Sequence, residues 1–279
     1  MAEKIDAHHH LWRYSSAEYG WIDDRMGALR RDFLPADLDT EAQAAGIAGA
    51  VAVQARQTLE ETAWLLSLAE ESSFLQGVVG WAPIASEHFP AELERLRSHK
   101  KLKGLRHVIQ DEPDPDFINR PDFNRGISAL RGSGLMYDIL IFDGHLPAAA
   151  TFVDRHPNQI FVLDHMGKPK IREGAIEPWR SRIMELARRE NVYCKLSGLV
   201  TEADWAMSSE AGLRVYVEIA LSAFGPRRMM VGSDWPVCLL ATTYRGWFEI
   251  VDRLIAALTA GERERILGGT AMEAYGLRG

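Results

Sequence analysis

The segment KIDAHHHLW, residues 4–12, places three histidines and an aspartate ahead of a leucine and a tryptophan. An expression tag is a longer, uninterrupted run; here the histidines continue Ile5-Asp6-Ala7, which reads as a strand. Side chains alternate along a strand, so His8 and His10 share one face and His9 points the other way. Two imidazoles facing one way inside a protein need a partner. Polar residues then recur at the ends of later apolar runs. Arg106 and His107 stand in GLRHVI, Tyr137 and Asp138 in MYDIL, and Asp164 and His165 in VLDHMGKP. Lys195 and Ser197 follow in YCKLSG, and Asp234 in VGSDWP. These residue types suit hydrolysis. Neutral imidazoles bind a divalent ion such as Zn²⁺, which can bring the pKa of its water to about 7. A carboxylate beside that water can take its proton, worth roughly 10²–10⁴-fold. It stays ionised near a cation and, once protonated, can hand the proton to a leaving oxygen.

Each residue also has a purely structural reading. His88, His99 and His156 fall in helix or loop patterns and read as solvated. Asp234 can cap the segment after its strand, Asp164 can pair with a neighbour, and Lys195 can sit in an ion pair. Trp12, Trp81, Trp205 and Trp235 can pack loops, although aromatics also suit the apolar face of a sugar ring.

The elements that would position these groups follow one pattern. Candidate strands run over Lys4–His8, Ala50–Gln54, Gln76–Trp81, Lys103–Ile109, Met136–Phe142, Gln159–His165, Asn191–Leu196 and Arg228–Asp234. Between them lie amphipathic stretches, several opening at proline and closing at glycine, as helices do. Strands alternating with helices imply a parallel sheet with helical crossovers. Eight such units in about 250 residues is the count that closes an α/β (β/α)8 TIM barrel, whose active site lies at the C-terminal ends of the strands. An open doubly wound sheet is the competitor, but no Gly-rich phosphate loop follows an early strand. No linker or low-complexity tract divides residues 1–279, so one domain is expected.

Composition narrows the function further. With 279 residues, 47% hydrophobic and 25% charged, the chain is an ordinary globular one. Its net charge of −7 and scattered basic residues argue against nucleic acid. No apolar run approaches the ~18 residues that span a bilayer, and no leader pattern opens the chain. A cytoplasmic protein without a membrane partner is expected, with Cys194 and Cys238 as buried thiols; the oligomeric state is left open.

The strings DAHHHLW, VLDHMGKP, CKLSGLVTEADW and GSDWPVCLL make the chain resemble the amidohydrolase superfamily. Within it the chain is similar to the lactonase branch that opens L-fucono- and L-rhamnono-lactones. YGWI, VAVQAR and LRHVIQDE extend the likeness over essentially the whole chain. The resemblance implies that His8, His10 and His165 are the family's histidines and that Asp234 is its general base, with His8, His10, His165 and Asp234 available to a metal. The superfamily's two-metal members end strand 4 in a lysine carbamate and strand 5 in a histidine. Here Arg106-His107 and Tyr137-Asp138 stand there instead, so one zinc or none is expected. The implied reaction is hydrolysis of a small-molecule sugar lactone. Arg106, His107, Tyr137 and Lys195 are the expected donors to substrate, and Trp12, Trp81 or Trp235 the expected stacking surface. An aromatic-acid decarboxylase, a dicarboxylate lactonase and a non-catalytic sugar binder are the alternatives.

Overall fold

The computed structural model describes residues 3–206 and 210–277. Eight strands are hydrogen-bonded in sequence order, every neighbouring pair parallel. They are β1 (Ile5–His9), β2 (Gly49–Val53), β3 (Leu75–Gly80), β4 (Leu102–Val108), β5 (Met136–Leu140), β6 (Phe161–Leu163), β7 (Val192–Leu196) and β8 (Met229–Val231). A helix follows each one, from Pro35–Ala45 after β1 to Tyr244–Leu254 after β8. The fold is the expected (β/α)8 barrel. Among the described residues no helix is long and apolar enough to cross a membrane. Cys194 and Cys238 are buried free thiols.

Two features of β1 decide what the barrel can do. First, its register against β2 slips: Asp6 pairs with Ala50 but His9 with Ala52, so Ala7 and His8 together oppose Val51. Such a bulge reverses the alternation of side chains. Ile5 and Ala7 pack with Val51, Val53 and Met230 in the barrel interior, and beyond the bulge His8 and His10 also face inward. His9 is turned away and wholly buried.

Second, the barrel closes through the turn after β8. The Asp234 amide donates to the His8 carbonyl (2.8 Å), and the His10 amide donates to that of Trp235 (2.6 Å). Beneath this seam the buried Asp6 carboxylate accepts from the Ser233 amide (2.8 Å) and hydroxyl (2.6 Å), the Tyr244 hydroxyl (3.1 Å) and the His8 amide (3.1 Å). Gly232 permits the approach, since a Cβ there would lie 2.5 Å from that of His8. The helix Tyr244–Leu254 buttresses the seam from outside. It buries Tyr244, Trp247, Phe248 and Val251 at helical spacing, and the Trp247 indole donates to the Gly232 carbonyl at 2.7 Å. Each such side chain contributes roughly 1.5–3 kcal/mol by burial.

The strands that carry chemistry are shorter than the sequence suggests. β6 ends at Leu163 and β8 at Val231 because the backbone turns left-handed at His165 (φ 51°) and Asp234 (φ 57°).

Burial raises the Asp6 carboxyl to about 6, outweighing the hydrogen bonds from Ser233, His8 and Tyr244. The stability linked to this group is therefore fully present below its unfolded value of 3.8 and lost as pH rises through about 6. Asp6→Asn cannot titrate. Denaturant unfolding should show the parent gaining about 2–3 kcal/mol on this variant between pH 7 and pH 4; a flat difference would contradict the assignment.

Candidate active site

An open pocket of about 270 Å³ lies at the C-terminal mouth of the barrel, lined by His10, Arg106, His165, Lys168, Glu202 and Asp234 among others. Its size is near the lower end for a small-molecule site. At its floor the Nε2 atoms of His8 and His10 are 3.2 Å apart. Asp234 Oδ1 lies 3.3 Å from the His10 nitrogen and 3.7 Å from the His8 nitrogen. His165 packs its ring 4.5 Å from that of His8, and its Nδ1 contacts Ser197 Oγ at 2.9 Å. The groups that the sequence separates by more than two hundred positions meet here.

The local backbone is strained where it aims these side chains. His165, Met166, Gly167 and Lys168 are four successive residues with φ between 50° and 67°. A non-glycine residue there costs roughly 1–2 kcal/mol, and such strain concentrates at functional sites. Gly198, at φ 69°, closes over His165; a Cβ would lie 2.6 Å from its Nδ1.

Protonation follows from the surroundings. Burial holds His165 down at about 4, and burial with the Lys195 charge holds His8 well below its ordinary value, so both are neutral. Burial alone would raise Asp234, but the neighbouring imidazoles of His165 and His10 and the Lys168 charge outweigh it and keep the carboxyl below the ordinary range. His10 Nδ1 lies 2.8 Å from the Val53 carbonyl, which can only accept. The proton is therefore on Nδ1, and His10 presents a lone pair at Nε2.

These groups fit a metal site. A tetrahedral zinc with bonds of about 2.0–2.1 Å spans ligand pairs roughly 3.3 Å apart, close to the separations among His8, His10 and Asp234. His8 Nδ1 lies 3.4 Å from Asp164, a carboxylate able to hold the proton there and free Nε2 for a ligand bond. The second cluster, His8, Asp164 and His165, is different. Arg106 and Lys195 already neutralise Asp164, each at 3.0 Å.

Several residues expected at the substrate lie elsewhere. Lys195 is wholly buried beneath the histidines, 2.5 Å from Asp138 and 3.2 Å from His8 Nδ1, while the Tyr275 hydroxyl reaches Asp138 at 2.8 Å. It balances buried carboxylates and does not line the pocket. Tyr137 alternates with Asp138 and so faces outward, among Phe123, Phe152 and Phe161. His107 stacks on Phe117 and contacts Glu112 at 2.6 Å, with the Trp81 indole donating to its other nitrogen at 3.3 Å. Neither His107 nor Trp81 lines the pocket. Trp235 is buried edge-on against Phe33, and Trp12 is buried behind His10. Only Arg106 among the expected substrate donors lines it.

The aromatic that does so is Trp21, 43% exposed and set edge-on against Trp12. Lys168, Glu202 and Gln110 were also missed as individual residues. They stand in the strings VLDHMGKP, VTEADW and LRHVIQDE, but nothing in residue type or strand alternation separates them from solvated loop residues.

A barrel with inward imidazoles at the end of its first strand and an aspartate after its eighth defines a class. The amidohydrolase family model matches residues 5–277, and the chain belongs to that family. An L-fucono-1,5-lactonase from Burkholderia multivorans is 42% identical, covering 99% of this chain and 97% of that protein. A Burkholderia ambifaria L-fucono-1,5-lactonase is 37% identical over 99% of this chain and 96% of its own. The crystal structure of a Burkholderia multivorans amidohydrolase with bound zinc superposes with a TM-score of 0.96 at 42% identity, covering 99% of this chain and all of that one.

Two substitutions separate structural from substrate roles. Lys195→Met strands two buried carboxylates and should cost about 3–5 kcal/mol of stability; an unchanged melting profile would contradict the ion-pair role. Tyr137→Phe should leave kcat and KM unchanged, and a raised KM would return Tyr137 to the substrate.

Proposed function

We propose that this protein opens a neutral sugar lactone to its aldonic acid, the substrate being an L-fucono-lactone or a close stereochemical relative. The observation that carries the reading is the Asp234 carboxylate, kept ionised beside His10 and His165 on the floor of the pocket. The names of the two Burkholderia relatives support the substrate class. The charge balance of the pocket favours a neutral ligand over a dicarboxylate. Arg106 is committed to Asp164, and Lys168 faces Glu202.

In the reaction Asp234 takes a proton from water as the water oxygen bonds to the lactone carbonyl carbon. The protonated Asp234 then gives that proton to the ring oxygen as the acyl C–O bond breaks, leaving a hydroxy acid. His165 borders the reacting carbon as a neutral imidazole. Trp21 offers an apolar face to the ring. A zinc ion, held by His8, His10 and Asp234, would supply Lewis acidity at the carbonyl and lower the pKa of the attacking water.

A pH-indicator screen of sugar lactones tests the reading. Acid release above spontaneous opening is expected for one stereochemical subset, and carbon dioxide release from aromatic acids without lactone turnover would replace it. Asp234→Asn should lower kcat by about 10²–10⁴-fold; turnover within a few-fold of the parent would remove Asp234 as base. Elemental analysis after zinc loading should find no more than one ion per chain, because Arg106 and Lys195 occupy the charge of the second cluster; two ions would contradict this.

A further inference from the structure

Lys168 and Glu202 touch none of the reacting atoms in the chemistry just described, yet the fold places both at the pocket. Lys168 is the last residue of the left-handed turn that begins at His165, with φ 50°, a conformation that glycine or asparagine would adopt at less cost. Its Nζ lies 3.7 Å from Glu202 Oε1 and 5.3 Å from the Phe142 ring centroid. Glu202 ends the short helix Leu199–Glu202 that opens directly after Gly198. Both side chains are mostly shielded, at 18% and 26% exposure.

The separation is the informative quantity. A committed ion pair closes to about 2.7–2.9 Å. At 3.7 Å each partner keeps its hydrogen-bonding capacity, and the gap admits one oxygen within reach of both. A hydroxyl is the group that both accepts and donates: it can take a proton from the ammonium and give one to the carboxylate. Lys168 and Glu202 line the same pocket as His165 and Asp234, which places the pair beside the reacting centre.

From this geometry we infer that Lys168 and Glu202 form a donor–acceptor pair that reads one hydroxyl, or two adjacent hydroxyls, of the lactone and so determines which stereoisomer is accepted. The inference rests on the sugar-lactone reading above and deepens it. A site built to hydrogen-bond a substrate hydroxyl rejects analogues lacking it, because its own polar groups are then left unpaired. The two opposite charges also explain a preference for neutral polyols: an added carboxylate would meet Glu202 and Asp234, and an added ammonium would meet Lys168.

The test takes an aldonolactone that the parent turns over and its monodeoxy analogues, with kcat and KM measured for the parent, Glu202→Gln and Lys168→Met. In the parent, one deoxy analogue should lose about tenfold or more in kcat/KM. In both variants that ratio should collapse to within about threefold, with thermal unfolding reporting that each is folded. Lys168→Gly relieves the left-handed backbone and should give the same collapse without a lower melting temperature, which a merely structural lysine would not do. A parent that accepts every deoxy analogue equally, or a ratio that survives in the variants, overturns the pair as a hydroxyl reader while leaving the lactonase reading intact. A parent inactive on every neutral sugar lactone removes that reading, and this inference with it.

Discussion

The contact on which the site depends is the buried carboxylate of Asp6 holding the turn after β8 against β1. It gathers the Ser233 amide and hydroxyl, the Tyr244 hydroxyl and the His8 amide around one group. The adjoining backbone bonds, from Asp234 to His8 and from His10 to Trp235, form the closure of the barrel. Fold and site are therefore made by the same few interactions: the seam that completes the cylinder is the one that carries Asp234 to the imidazoles. The β1 bulge finishes the arrangement by turning His8 inward after Ala7.

Beneath the histidines the barrel holds four further charges in almost no solvent. Arg106 and Lys195 face Asp138 and Asp164, with Tyr275 completing the coordination from the C-terminal segment. A buried ion network adds little net stability relative to an apolar core but costs heavily when one member is removed. Its position suggests what it provides instead. Lys195 and Asp164 both reach His8 Nδ1, at 3.2 and 3.4 Å, and so govern which of its nitrogens carries the proton.

Much of this was legible in the chain. Eight apolar runs alternating with amphipathic ones led to the barrel, and polar residues at strand ends led to His8, His10, His165 and Asp234. The inward pairing of His8 with His10 follows from alternation, but continuing the same alternation back from His8 would have turned Ala7 outward; a bulge leaves no mark in residue types. Tyr137 failed for a reason the sequence did contain, since Asp138 next to it must face the opposite way. Trp12, Trp81 and Trp235 failed because an aromatic near a strand end looks alike whether it lines a pocket or packs the loop behind it. Lys168 was hidden by its backbone: three residues after His165 on the strand the sequence suggests, it would point to the opposite face, and the left-handed turn brings the two to one pocket.

The central claim is that Asp234 acts on water as a base and never bonds to the acyl group. Single-turnover hydrolysis of a reactive sugar lactone in ¹⁸O-water, with excess enzyme, addresses it most directly. One ¹⁸O atom in the product carboxylate, and none in the peptide containing Asp234, is the predicted result. Label in the Asp234 side chain, with an unlabelled first product, would make that carboxylate a nucleophile and contradict the mechanism.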